Sequence, residues 1–515
     1  MLARLATFAI DGVDPRQVWV EVDIRPGLPT FTVVGLGDAA VRESRDRVRA
    51  AILNSHFEFP KTRITANLAP AFLRKVGPGF DAGLALAVLA ASGQVPAEAL
   101  HDYAVFGELS LSGHLRDSPG ALVVAEGARR AGLRRLIVPR ERAREAALVE
   151  RLEIVAVSTL RAAAEVLMGA PVPELPTEPQ PARCAEAEGE GPDLADVRGH
   201  AAAVLALQIA AAGGHNLLLE GAPGTGKTML ARRLPSILPA MTRAEAVEVT
   251  RIQSVTGLSA GGLCRRRPFR APHHTISAAG LVGGGSPPRP GEVTLAHRGV
   301  LFLDELSEFQ RSSLDALRQP LEDGQVTVVR GQQALVFPTQ FMLVAATNPC
   351  PCGFAGVEDR CRCAEADLRR HRRRLSGPLL DRMDLLVTVS RPAELELRSP
   401  PLTTSDHARE RVAEARERQA RRLAGVSVRC NGELGARLAA RHIRLDPAAD
   451  RVLSHAYGQG ALSARGRLRV LRVAQTLADL RAGERVSQED VLGALALRQR
   501  AAGAESEWWS SLEVA

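Results

Sequence analysis

The stretch Gly221-Ala222-Pro223-Gly224-Thr225-Gly226-Lys227-Thr228 decides how this chain folds. It matches G-x-x-x-x-G-K-[ST], in which glycines let successive backbone N–H groups converge on phosphate oxygens at the positive end of a helix. A glycine-rich turn can match by chance, so the flanks matter. Leu217-Leu218-Leu219-Glu220 reads as a short buried strand and Met229-Leu230-Ala231-Arg232-Arg233-Leu234 as a helix. That is the strand–loop–helix context the motif requires. In this reading Gly221, Ala222, Pro223, Gly224, Thr225, Gly226, Lys227, Thr228 and Met229 surround ATP. Lys227 pairs with the β- and γ-phosphates, and Thr228 is a Mg²⁺ ligand.

Downstream, Gly299-Val300-Leu301-Phe302-Leu303-Asp304-Glu305 is an apolar run closing on two acids. Asp304, at the carboxyl end of such a strand, is placed to hold Mg²⁺, and Glu305 to polarise an attacking water. An apolar run ending in Asp-Glu is common by itself; behind a phosphate loop it becomes specific. A third strand, Phe341-Met342-Leu343-Val344-Ala345-Ala346-Thr347, ends in Asn348, which suits either a polar site residue or a turn before Pro349. The fold class expected is α/β.

The 515 residues are enough for roughly three domains. Hydrophobic residues make up 45%, as in an ordinary globular protein. No apolar run approaches the ~20 residues that span a bilayer. The opening residues Met1 to Phe8 do not read as a signal peptide, since charges return at Asp11 and Asp14, and a cytoplasmic protein is expected. A net charge of +8 suits a polyanionic partner. Only Lys61, Lys75 and Lys227 are lysines among 66 basic residues, a bias that reflects codon composition more than site chemistry. Aromatic residues are only 3%, so a base-stacking surface is not expected and nucleic acid would be held mainly through phosphates.

Residues 1–168 read as one unit of strands (Val18 to Val22, Thr30 to Val34, Arg63 to Asn67) and helices (Asp38 to Ser55, Asp81 to Ser92, Ala121 to Ala131). Residues 169–195 are proline-rich and acidic, without apolar periodicity, and read as an extended linker. Residues 196–395 carry the nucleotide motifs. Residues 396–515 are expected to be helical, with Trp508 and Trp509 near a frayed end.

Between the phosphate loop and Asp304, Arg265-Arg266-Arg267-Pro268-Phe269-Arg270-Ala271-Pro272-His273-His274 and the glycine-rich 283–291 read as an insertion looping out of the core. His273 and His274 read as turn or packing residues rather than metal ligands. Gln325 to Arg330 and Ala334 to Phe337 flank Gly331-Gln332-Gln333, a hairpin signal; in a ring, insertion and hairpin could both reach the pore. Cys350, Cys352, Cys361 and Cys363 form C-x-C-x₈-C-x-C, four soft ligands that suit tetrahedral Zn²⁺, with reduced unliganded thiols or redox chemistry as the alternatives. The run Arg369-Arg370-His371-Arg372-Arg373-Arg374 suits phosphate contact or a solvated helix face equally.

Taken together, Val34-Gly35-Leu36, Glu43-Ser44-Arg45-Asp46-Arg47-Val48, Asn67-Leu68-Ala69-Pro70, Gly214-His215-Asn216, Arg270 to His274, Pro290-Gly291-Glu292, Ala296-His297-Arg298-Gly299, Leu317 to Glu322 and Asn348 to Gly353 resemble the YifB/ComM family of magnesium-chelatase-like AAA+ ATPases over nearly the whole length. The resemblance implies an N-terminal α+β domain of the ribosomal-S5/Lon-protease-like fold, a central AAA+ P-loop NTPase αβα sandwich and a C-terminal helical lid. It also implies a homo-hexameric ring. Some members are DNA helicases that drive branch migration on single-stranded or branched DNA during natural transformation. By the same resemblance Asn348 is sensor 1 and orients the attacking water. Arg382, in Leu379-Leu380-Asp381-Arg382-Met383-Asp384-Leu385, is the finger that reaches a neighbour's γ-phosphate. Arg465 is sensor 2, ahead of Arg469 and Arg472. The alternative is a magnesium-chelatase-type ATPase that remodels a protein partner, although such subunits lack the N-terminal domain and the cysteine cluster. Lon-type proteolysis needs a Ser–Lys dyad. Lys75-Val76-Gly77-Pro78-Gly79-Phe80-Asp81 has no serine at the nucleophile position, so the domain is expected to be non-proteolytic and Lys75 a surface or structural residue.

Overall fold

Two long strands open the chain as a hairpin, Leu2–Asp11 against Asp14–Arg25, paired from Leu2↔Asp23 to Asp11↔Asp14. Their side chains alternate as period-2 patterning requires: Val18, Val20 and Val22 are buried, while Gln17, Trp19 and Glu21 between them are half-buried. The hairpin centres a seven-stranded sheet in the order Thr30–Val34, Arg63–Ala69, Asp14–Arg25, Leu2–Asp11, Tyr103–Val105, Arg135–Pro139, Glu153–Val157. Among the described residues, three helices of ten or more residues pack on it, with the shorter Ala143–Ala146 and Leu160–Leu167 at the Glu153–Val157 edge. Ala39–Asn54 is capped by Asp38, whose carboxylate accepts from the Val41 N–H at 2.9 Å. Asp81–Ala91 is Ala, Leu and Val on every face and is buried along its whole length. The third is Ala121–Arg130. Lys75 is not a surface residue: it is fully buried, and its ammonium donates to the Pro70 carbonyl. Burial pushes its pKa down. It serves the structure of the loop that follows Arg63–Ala69.

The computed structural model describes residues 2–35, 37–176, 191–259, 261–285, 288–330, 333–355, 360–374, 377–460 and 462–498. Most of the expected linker, Cys184, the Gly331-Gln332 hairpin tip, Trp508 and Trp509 lie outside the described residues.

The second sheet has five parallel strands in the order Phe269–Arg270, Val300–Leu303, Met342–Thr347, Leu217–Glu220, Leu385–Thr388. Its strands are continuous apolar runs because both faces are covered. Leu217, Leu219, Val300, Phe302, Val344 and Ala346 face the helices Ala201–Gly213 and Lys227–Ile237 and the C-terminal helices behind them. Leu218, Leu301, Leu303, Leu343 and Ala345 face Leu281, Val293, Leu306 and Phe309 on the other side. One expectation is corrected here. The stretch read as looping out of the core places Phe269–Arg270 inside the sheet, at its edge, with the Val300 N–H bonded to the Pro268 carbonyl at 2.8 Å. A two-residue strand carries no alternation, so periodicity could not reveal it.

The C-terminal part is helical: Ser405–Arg422, Ala436–His442, Pro447–Gly458, Ala464–Leu480 and Gln488–Ala496. Ala408, Val412, Ala415, Val470, Ala474 and Leu477 merge with the core on the Ala201–Gly213 face. On the opposite face, helix Arg243–Thr256 lies against Ala121–Arg130 of the N-terminal part. Arg251 pairs there with Glu126 and Arg243 with Glu150, each at 2.7 Å. Ser254 bonds Glu145. The ribbon Gln325–Arg330/Gln333–Pro338 buries Val326, Val328, Leu335 and Phe337 in a cluster that includes Val13 of the N-terminal hairpin, leaving Val329 and Val336 exposed.

Candidate nucleotide site

The phosphate loop, Asp304, Glu305 and Asn348 gather at the carboxyl ends of the parallel strands, where open α/β sheets bind ligands. Leu217–Glu220 delivers Gly221, whose N–H bonds the Thr347 carbonyl at 3.2 Å. A Cβ at Gly221 would lie 2.3 Å from the Val389 carbonyl oxygen, so only glycine passes this point. Gly226 has φ of 87°, the left-handed conformation that turns the loop into helix Lys227–Ile237. Lys227 is buried, and its ammonium donates to the Gly221 and Ala222 carbonyls at 2.7 and 2.8 Å and to Asn348 Oδ1 at 3.2 Å. Burial pulls its pKa down, against the opposing charges of Asp304 and Glu305. Met229 packs beneath the loop against the core.

Thr228 Oγ1 donates to Asp304 Oδ2 at 2.6 Å. A hydroxyl and a carboxylate converging at the phosphate loop are a hard-oxygen donor set that fits Mg²⁺. Glu305 follows at φ 51°, an uncommon conformation for a non-glycine residue, and its N–H bonds Asp304 Oδ1 at 3.0 Å. Its side chain is exposed and meets His274 Nδ1 at 3.3 Å. His274 was read from sequence as a turn or packing residue; the structure puts it on the carboxylate expected to act as base. The signal lay in the strand Phe269–Arg270: being next to Val300–Leu303, it carries the residues after it to the same edge as Asp304. His200 is a second residue the sequence did not flag. It has φ of 61°, and its Nε2 would lie 3.6 Å from a Cβ on Gly226, at the mouth of the loop.

Asn348 is held from two sides. Its amide oxygen accepts from Lys227, and its backbone oxygen lies 2.9 Å from His371 Nε2. His371 is buried on helix Glu365–Arg374, while Arg369 and Arg370 pair along that helix with Glu365 at 3.2 Å and Asp367 at 3.7 Å. The cysteine cluster begins two residues after Asn348. The sulfurs of Cys350, Cys352, Cys361 and Cys363 all lie within 4.8 Å of one another. Cys350–Cys352, Cys352–Cys361 and Cys350–Cys361 are 3.3, 3.7 and 3.9 Å apart. Tetrahedral Zn²⁺ with ordinary Zn–S bonds sets sulfurs about 3.8 Å apart, so the donor set fits.

Arg382 and Arg465 are elsewhere. They line a cavity of about 770 Å³ at the amino ends of the same strands, together with Asn216, Gly299 and Met342. The strands are four to six residues long, which at ~3.3 Å per residue puts that cavity on the order of 15 Å from the phosphate loop. Arg465 is therefore not beside its own subunit's phosphates: the routing of Ala464–Leu480 behind the sheet, which sequence spacing does not encode, carries it away. Eight arginines and five acidic residues line the cavity. Arg382 pairs with Glu322, and Arg469 lies 3.7 Å from Asp384. Burial lowers the Arg469 pKa; Asp384 and Asp381 oppose it, and the smaller influence of Arg382 and Arg465 adds to the lowering. The cavity carries more positive charge than it neutralises, and an anion would relieve it.

Comparison with known proteins agrees with this geometry. Three family descriptions match in tandem: "Subunit ChlI of Mg-chelatase" over residues 20–142, "Magnesium chelatase, subunit ChlI" over 193–397 and "Magnesium chelatase, subunit ChlI C-terminal" over 403–498. An uncharacterized protein of Mycobacterium tuberculosis is 44% identical over 509 residues, 97% of this chain and 99% of its own. YifB of Escherichia coli and the competence protein ComM of Haemophilus influenzae are each 41% identical, covering 96% of this chain and 97% of their own. A 130-residue stretch is 32% identical to Lon protease 2 of Thermus thermophilus, covering 24% of this chain and 16% of that protease, in line with the Lon-like N-terminal fold. With three tandem chelatase matches and near full-length identity to its relatives, the chain belongs to the YifB/ComM family of magnesium-chelatase-like proteins and has the ATPase-type core of that family.

Proposed function

We propose that the protein is an ATP-hydrolysing AAA+ motor, assembled as a cytoplasmic homo-hexameric ring, that acts as a DNA helicase and drives branch migration in recombination during natural transformation. The observation that carries the ring is the separation of two half-sites on one sheet: phosphate loop and acids at the carboxyl ends, an arginine-rich cavity at the amino ends. Stacking one subunit's amino end on the next subunit's carboxyl end completes each site.

In this reading residues 1–168 are a non-proteolytic Lon-like domain, 169–195 a linker, 196–395 the ATPase core and 396–515 the lid. Gly221 to Met229 cradle ATP. Thr228 and Asp304 hold Mg²⁺, which neutralises phosphate charge. Glu305 accepts a proton from water that Asn348 orients. Arg382 and Arg465 serve the neighbour's nucleotide and stabilise the charge that develops on its γ-phosphate. The four thiolates Cys350, Cys352, Cys361 and Cys363 hold a structural Zn²⁺.

DNA as the partner is supported by the net charge of +8 and by the competence role named for ComM. With few aromatics, the contacts are mainly to phosphate, so they weaken with salt. No helix among the described residues is long and apolar enough to cross a membrane. The second reading, a chelatase-type ATPase that remodels a protein partner, draws on the three chelatase descriptions.

Steady-state ATP hydrolysis separates the two. It is measured without DNA and with single strands, duplex and a four-way junction, at low and moderate salt. The motor reading expects stimulation by junction or single strand that fades as salt rises. A rate indifferent to every DNA removes the motor and favours a protein partner.

A further inference from the structure

The cysteine cluster is built into the wall of the nucleotide site. Cys350 is buried two residues after Asn348. Its sulfur accepts from the Ala355 N–H at 3.2 Å, and its carbonyl accepts from the Gly353 N–H at 3.0 Å, closing a tight turn around the first cysteine pair. Gly353, at φ 86°, is pressed on the phosphate loop: a Cβ there would lie 2.5 Å from Pro223 Cδ and 3.9 Å from Asn348 Cγ. The second pair, Cys361 and Cys363, leads directly into helix Glu365–Arg374. That helix returns His371 to the Asn348 carbonyl at 2.9 Å.

Asn348 is thus gripped from both directions along the chain, by the Cys350 turn on one side and by His371 on the other. The four sulfurs lie where those two arms of the circuit meet. We propose that a metal ion held by Cys350, Cys352, Cys361 and Cys363 closes the circuit and sets the position of Asn348 and Pro223, so that metal occupancy controls the rate of ATP turnover rather than only the stability of a surface knuckle. The proposal rests on the Zn²⁺ reading above. It makes His371 and Gly353 positioning residues. Thiolate–metal bonds are stronger than the hydrogen bonds that otherwise hold the turn. Without them, the cysteine pairs separate and Asn348 loses its fixed distance to Lys227. Nucleotide binding depends chiefly on the loop N–H groups and Lys227, so kcat suffers more than affinity.

Full-length protein is assayed for zinc per chain by elemental mass spectrometry, for nucleotide affinity with a fluorescent ATP analogue, and for kcat and KM. Measurements are made as purified, after chelation and after Zn²⁺ is restored. The expected result is one zinc per chain and a loss of kcat on the order of 10-fold on chelation, regained with Zn²⁺, while the analogue binds within a few-fold of normal. His371→Ala keeps all four thiols and is expected to retain zinc, lower kcat and leave KM nearly unchanged, with His371→Gln recovering part of the loss. Protein that binds no zinc overturns both the metal reading and the coupling. Protein that binds one zinc but turns over equally without it, and in the His371→Ala form, overturns the coupling alone.

Discussion

The two ends of the central sheet use the same strands for opposite purposes. At the carboxyl ends, Lys227 meets Asn348 and Thr228 meets Asp304 around the phosphate loop. At the amino ends, Arg382, Arg465 and Arg469 crowd into a cavity with too few counter-charges and no phosphate loop of their own. In the proposed reading one end binds nucleotide and the other supplies positive charge to a neighbouring copy, so the proposed activity depends on contact between copies.

That contrast can be broken in order of severity. Lys227→Ala removes the cation of the phosphate loop and should abolish binding of a fluorescent ATP analogue; normal affinity would show that the carboxyl end is not the nucleotide site. Arg382→Ala should bind nucleotide yet hydrolyse on the order of 10³-fold more slowly. Mixing Arg382→Ala with Lys227→Ala protein should restore part of the activity, because each supplies the half-site the other lacks. No recovery in mixed assemblies would count against a shared site. Glu305→Gln should bind ATP and turn over about 10²-fold more slowly, as loss of a general base requires. His274→Ala frees Glu305 from one hydrogen bond and should raise basal hydrolysis about 3-fold, the worth of about 0.7 kcal/mol. A fall in rate would instead make His274 a residue that orients the base.

The smallest effect concerns stability beside the amino-end cavity. Glu248 is held at about 2, first by its hydrogen bond with His297 and then by that with Arg298. A carboxylate with a depressed folded pKa contributes stability that is full above its ordinary value near 4.5 and fades as pH falls toward 2. The side chain is about a third exposed, so solvent screening discounts the contribution. Glu248→Gln should cost about 1 kcal/mol at pH 7 in denaturant unfolding, and less at pH 3. A difference independent of pH would show that Glu248 acts by packing.

Sequence revealed the carboxyl end better than the amino end for a physical reason. Phosphate and Mg²⁺ chemistry demands particular residues within a few positions of one another, so Gly221 to Thr228 and Asp304-Glu305 declare themselves locally. Asp38, Asp81 and Ala121 likewise mark helix starts within one residue, because caps and apolar runs are local. Arg465 is different. Which end of the sheet it reaches depends on the path of five C-terminal helices, and one arginine among many carries no mark of that. His274 and His371 were hidden for the same reason: His274 needs a two-residue strand to be placed, and the burial of His371 has no mark within a run of arginines. For Lys75 the sequence left surface and structural roles open, because a buried ammonium bonded to a backbone carbonyl leaves no pattern along the chain; the structure selects the structural one.

Helix Arg243–Thr256 has a consequence beyond packing. Its first turn carries Glu245, which binds Arg267 of the core at 3.1 Å and Arg429 of the C-terminal part at 2.7 Å. Its last two turns carry Arg251 and Ser254, fixed to Glu126 and Glu145 of the N-terminal part. Thr242 and Glu245 cap the near end reciprocally, so the rod does not fray where it is pulled. With 14 residues, it is about 20 Å long. A stiff connecting rod pinned at both ends transmits displacement rather than absorbing it. A shift that drags Arg429 would be carried along the rod toward Glu126, which ties the N-terminal part to the cavity side of the core.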